Sequence, residues 1–200
     1  MTKFYIARHG ETEWNVLGKV QGHTDIGLTK RGEEQARSLA KELVSVHFDQ
    51  VFSSDLVRAR RTAEIVALER KLAVITTNVL REQLFGKYEG MYSDEFRALF
   101  TRWSEMSEEE KHAFKLSDDV ESNEQAVSRL IIFIRELATA YPQETILVVA
   151  HGGIMRNFLY HLGYWSYSSM KKLKNTAYIV VECDGIDFTL QKVEGVHDRE

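Results

Sequence analysis

Two histidines stand where short apolar runs end. Phe4-Tyr5-Ile6-Ala7-Arg8-His9-Gly10-Glu11-Thr12 delivers Arg8 and His9 side by side and then a glycine. Far downstream, Ile146-Leu147-Val148-Val149-Ala150 delivers His151-Gly152-Gly153. Two imidazoles released at strand ends, with guanidiniums to spare, suit phosphoryl transfer through a phosphohistidine. A neutral imidazole nitrogen can attack phosphorus and hold the phosphoryl group covalently, splitting one difficult displacement into two. His9 is the candidate nucleophile. Arg8 offers a planar, permanently charged fork for the phosphoryl oxygens. Neighbours in an extended chain face opposite ways, so the two share a site only if the backbone turns, which Gly10 permits.

The remaining candidates follow from the same chemistry. In Ser53-Ser54-Asp55-Leu56-Val57-Arg58-Ala59-Arg60-Arg61-Thr62-Ala63, Arg58 falls in the first turn of an expected helix. A cation there opposes the helix dipole, so its presence suggests an anion at that end. Arg60 and Arg61 read as surface charges, and the serines as helix caps. His151 can donate to phosphoryl oxygens, and the helix that starts after it should aim free N–H groups at the same place. An alkoxide leaving group also needs an acid, and the water that attacks phosphohistidine needs a base. Glu82 and Glu11 both qualify by position.

These residues need elements to position them. Lys3–Ala7 reads as a buried strand, 50–53, 72–76 and 145–150 as further strands, and residues 9–28 as a long glycine-punctuated loop. Thr29 can cap a helix whose residues Glu33, Ala36, Leu39, Ala40 and Leu43 share a face. Further helices are expected at about 55–70, 123–140 and after His151. The strands 177–183 and 188–193, joined by Asp184-Gly185, form an expected hairpin. Residues 91–117 are helical in pattern, acidic and threaded with aromatics, and read as an inserted cap. The expected fold is an α/β three-layer sandwich. Its sheet is mainly parallel with an antiparallel edge strand, helices cover both faces, and ligands bind beyond the strands' carboxyl ends.

Composition narrows the classes. The 200 residues suit a single domain, 1–200, with the helical cap at about 91–120. The 44% hydrophobic and 28% charged content is that of a globular protein, and the net charge of −4 gives no global attraction to nucleic acid. No apolar run nears the roughly 20 residues that span a bilayer, and no signal peptide opens the chain, so a cytoplasmic protein is expected. Cys183, the lone cysteine, reads as a buried thiol. No Cys/His/carboxylate cluster stands out at ligand spacing.

Taken in order, the motifs resemble the histidine phosphatase superfamily, the phosphoglycerate mutase-like group. They are Arg8-His9-Gly10-Glu11-Thr12 with Asn15, then Gly22, Asp25, Leu28-Thr29 and Gly32. Next come Ser53-Ser54 to Arg58-Ala59 with Thr62-Ala63, Glu82 with Gly86 and Glu89-Gly90, and His151-Gly152. The resemblance implies His9 as the phosphorylated nucleophile and Arg8, Arg58 and His151 as the phosphate pocket. It implies Asn15 as a further phosphate contact, Glu82 as general acid and base, and no metal or other cofactor. Asn175, in Lys174-Asn175-Thr176-Ala177, resembles a late segment near the family's site and is a candidate contact.

The family divides into mutases and phosphatases. A mutase using a bisphosphate cofactor needs additional cations, yet residues 91–125 hold four Lys/Arg against ten Asp/Glu. A phosphatase acting on a small phosphate ester is therefore favoured over a phosphoglycerate mutase or a non-catalytic phospho-ligand binder. Trp14 is the aromatic expected beside the substrate, and the cap aromatics are expected mainly to pack the cap onto the sheet, the alternative being a pocket for an apolar organic group. Neither nucleic acid nor membrane is an expected partner, and a homodimer is allowed.

Overall fold

The computed structural model describes residues 1–68, 70–167 and 171–198. Its six strands are β1 (Thr2–Arg8), β2 (Gln50–Ser54), β3 (Val74–Thr77), β4 (Thr145–Ala150), β5 (Lys171–Cys183) and β6 (Phe188–Asp198). They form one sheet in the order β3-β2-β4-β1-β5-β6. The first four are mutually parallel, β5 runs antiparallel to β1, and β6 pairs antiparallel with β5. The antiparallel element is thus a two-stranded ribbon, with β6 at the edge. Both strands exceed their expected lengths, because the ladder resumes at Lys171–Leu173 on the far side of an irregularity between Leu173 and Tyr178. The third strand starts later than expected, at Val74.

Strand alternation sends side chains to two cores. Phe4, Ile6, Ile146, Val148, Ala150, Ile179 and Val181 face one side. There they meet α6 (Asn123–Ala140) and α7 (Gly152–His161). Ala7, Val51, Leu147, Val149 and Val180 face the other, meeting α2 (Lys30–Glu42) and α3 (Val57–Leu68). The inner parallel strands β2 and β4 are buried on both faces, which is why β4 reads as a continuous apolar run, whereas β3, at the sheet edge, is largely exposed. Thr29 caps α2 through Gly32 N–H, and Ser122 closes a capping box on α6. Cys183 is buried. Arg60 and Arg61 are exposed and pair with Glu64 and Glu33.

The short α1 (Glu13–Val16) lies in the long loop, and the cap holds α4 (Ser93–Ala98) and α5 (Glu108–Ala113). Phe85, Phe96, Phe100, Trp103 and Phe114 form a chain of edge-on and tilted ring contacts with centroids 5.1–6.2 Å apart. The cap aromatics therefore pack mostly on one another. Backbone bonds from Val20 to Met91, Gly90 to Val20 and Ser93 to Gly18 stitch the cap entry to the loop after β1.

That loop also presses on α2. A Cβ on Gly32 would stand 2.1 Å from the Glu11 carbonyl oxygen, and one on Gly10 2.4 Å from that of Gly32. Only two bare backbones fit here. Gly32→Ala should lower the unfolding free energy by about 2 kcal/mol, read as a fall in the urea midpoint at constant slope.

Candidate active site

The register of β1 on β4 places Arg8 opposite Ala150, so the residues that follow, His9 and His151, leave the sheet side by side. His9 N–H donates to the Ala150 carbonyl at 3.1 Å, and the two imidazole centroids lie 5.2 Å apart. Both rings are buried, at 3% and 0% exposure.

The hydrogen bonds fix complementary tautomers. His9 Nδ1 lies 2.7 Å from the Gly10 carbonyl oxygen, which can only accept, so Nδ1 bears the proton and Nε2 the lone pair. His151 Nδ1 accepts from Arg58 Nε at 3.3 Å, so its proton sits on Nε2. His151 Nε2 is buried and has no partner among the described residues, as is also true of Arg8 Nε. Burial first, and Arg58 next, push both imidazoles well below the ordinary value of 6.5. Arg8 adds to the shift in both, and the Gly10 bond opposes it at His9. One ring is therefore a neutral nucleophile and the other a neutral donor.

Arg58 is fully buried. Its Nη1 and Nη2 donate to the carbonyls of Thr24 and Gly22 at 2.8 and 2.7 Å, and burial lowers it to about 10, so it stays charged at neutral pH. Its place in the first turn of α3 is tolerated because Asp25, from the loop, accepts the Val57 N–H at 2.7 Å and restores negative charge at that helix end. Ser54 Oγ accepts from Leu56 N–H, so that serine does help to start the helix. Arg8 Nη1 donates to the Leu173 carbonyl at 2.5 Å.

Glu82 occupies a position that changes one expectation. Its carboxylate accepts from Gly153 N–H at 2.8 Å, Ile154 N–H at 2.9 Å and Gln83 N–H at 2.9 Å. The α7 N-terminus expected to face the phosphate oxygens instead holds this carboxyl group. A Cβ on Gly153 would lie 2.6 Å from Glu82 Oε1, which accounts for the glycine. Glu11, the other candidate acid, accepts from Thr29 Oγ1 at 3.0 Å and stands 3.8 Å from Arg31 Nε, at the rim.

Asn15 Oδ1 accepts from Thr12 N–H and Asn175 Nδ2, both at 3.1 Å. Asn175 Nδ2 also donates to the His9 carbonyl at 3.2 Å. Its amide protons thus brace the nucleophile and Asn15, and its side chain also lines the cleft. Trp14 lines the cleft against Gly90 and Lys19.

The cleft measures about 1200 Å³ and brings together Arg8, His9, Asn15, Arg58 and Glu82 beneath the cap. The acidic surplus of the cap largely faces elsewhere. Glu108, Glu109 and Glu110 form the first turn of α5, where they offset its dipole. Glu121 lines the cleft but is bound by Arg129 at 2.8 Å. Arg129 also donates to the carbonyls of Val79, Arg81 and Glu82, clamping the segment that carries the acid. Glu89 accepts from His23, Thr24 and Phe85 N–H and locks that segment to the loop holding Arg58. Arg129 was not evident from the sequence, because its partners lie far away in the chain. Among the described residues no group of three or more His, Cys, Asp or Glu is placed to hold a metal ion, and no helix is long and apolar enough to cross a membrane.

This chain belongs to the histidine phosphatase superfamily (branch 1), whose family model matches residues 4–195. It is 32% identical over 189 residues to phosphoglycerate mutase-like protein 4 of Arabidopsis thaliana, covering 93% of this chain and 82% of that one. It is also 32% identical over 193 residues to a metal-independent phosphoserine phosphatase of the same plant, covering 90% and 76%. A phosphoserine phosphatase of Entamoeba histolytica, solved in complex with 3-phosphoglyceric acid, superposes with a TM-score of 0.80. The two share 27% identity, with 97% of each chain covered.

The neutral, buried imidazoles set a pH dependence for stability. Unfolding releases them to their ordinary value, where they take up protons that the folded state excludes. Stability is therefore full above about pH 6.5 and falls as pH drops below it. Urea unfolding between about pH 8 and pH 5 should show this loss, with a shallower slope in His151→Gln.

Proposed function

We propose that this chain is a metal-independent phosphomonoesterase that acts on a small phosphorylated metabolite through a phosphohistidine on His9. The observation that carries the reading is the tautomer pair. The His9 lone pair is directed away from Gly10 while a buried His151 Nε2–H stands unpartnered beside it. A phosphoryl group seated there would meet His151, Arg8 and Asn15 as donors, with the Arg58 charge behind them.

In the first step His9 Nε2 forms the N–P bond as the P–O ester bond breaks. The protonated Glu82 carboxyl gives its proton to the departing oxygen. In the second step water loses a proton to Glu82 and attacks phosphorus, the N–P bond breaks, and phosphate leaves with His9 neutral again. Glu82 serves both steps because Gly153 and Ile154 hold one carboxyl group at one place. The phosphatases among the relatives support the class of reaction.

His9→Ala should abolish hydrolysis of a phosphate monoester, whereas a chelator should leave the wild-type rate unchanged. Retained activity in that variant, or loss with chelator, refutes the mechanism. Glu82→Gln should lower kcat/KM for an alkyl phosphate by about 100-fold or more. The loss for a nitrophenyl phosphate should be several-fold smaller, because that leaving group departs without a proton. Equal losses on both esters would remove Glu82 as the acid.

A further inference from the structure

One half-buried cation beside this site has no task in the proposed reaction. Arg156 lies on α7, three residues after Gly153 and four after Gly152, on the helix face that holds Glu82. It lines the cleft. Its Nε is buried without an acceptor, and its guanidinium has no hydrogen-bond or ion-pair partner among the described residues. The carboxylate whose charge it feels is Glu82, already held by three backbone N–H groups. Tyr167, the other group acting on it, is a phenol that burial keeps neutral, with its hydroxyl 2.7 Å from His112 Nδ1. A guanidinium nitrogen buried without an acceptor is costly, and an anion in the cleft would offset that cost.

The location says which anion. Glu82 must stand at the oxygen of the leaving group, and Arg156 sits about 5–6 Å further along the same helix face. The phosphoryl oxygens are provided for at the other end by Arg8, Asn15 and His151, with the Arg58 charge behind them. One guanidinium matches the bidentate geometry and single charge of a carboxylate.

We propose that Arg156 is a specificity residue that binds a carboxylate on the leaving group, so that the preferred substrates are phosphorylated carboxylic acids. This rests on the phosphatase reading above. The test compares kcat/KM for O-phosphoserine and phosphoethanolamine, which differ by the carboxylate, with phenyl phosphate as the control ester. Wild type should prefer O-phosphoserine by about 100-fold, Arg156→Met should bring the ratio near unity, and Arg156→Lys should leave it intermediate. A merely structural arginine would lower both rates together and leave the ratio unmoved. If Arg156→Met does not fold, the wild-type and Arg156→Lys ratios decide. Hydrolysis of phenyl phosphate with a wild-type ratio near unity, or a ratio that neither variant changes, overturns the carboxylate site alone. No hydrolysis of any of the three esters overturns the phosphatase reading and this inference with it.

Discussion

The parallel pairing of β1 with β4 is the constraint on which the site depends. Arg8 opposite Ala150 sets His9 beside His151, and the His9 N–H to Ala150 carbonyl bond extends the ladder one residue past the strand. A slip of one residue would turn every side chain of β1 to the other face of the sheet. The apolar residues prevent it, because Ile6 and Ala7 belong to different cores and differ too much in size to exchange places. The hydrophobic pattern of two strands thereby positions two polar side chains that contribute nothing to either core.

Charge is handled by the same economy of position. Arg58 is buried with its donors directed at two carbonyls and one imidazole nitrogen. That arrangement keeps the cation satisfied, assigns the His151 tautomer and lowers the proton affinity of both histidines. Glu82 caps the helix that begins at His151, so the proposed acid and donor are held by one backbone segment. Arg129 and Glu89 bind the flanks of Glu82 to α6 and to the loop near Arg58. Preorganisation here comes from backbone N–H and carbonyl groups far more than from side-chain pairs.

Much of this was legible in the sequence. The strand ends at Arg8 and Ala150, the Thr29 cap and the helix over 123–140 follow from apolar periodicity and capping residues. The gathering of Arg8, His9, Arg58, Glu82 and His151 followed from motif order. What was not legible depends on long-range geometry. Nothing local says that Gly153 and Ile154 N–H meet a carboxylate 71 and 72 positions away. The braces at Arg129 and Asn175 are equally non-local. At the cap, composition does not say which carboxylates face the cleft: Glu108 to Glu110 stabilise a helix start, while Asp94 and Glu121 line it. Arg156 is not legible in the sequence, because an arginine on an amphipathic helix ordinarily reads as a solvated charge.

The central claim is that His9 Nε2 becomes covalently phosphorylated. The direct measurement is to mix enzyme with a phosphate ester, quench within milliseconds into alkali, where phosphohistidine survives, and map the labelled peptide. The account predicts one phosphoryl group per chain on the peptide holding His9. That label should accumulate in Glu82→Gln with a nitrophenyl ester and be absent in His9→Ala. Turnover without any phosphorylated peptide, or a label on another residue, would contradict it.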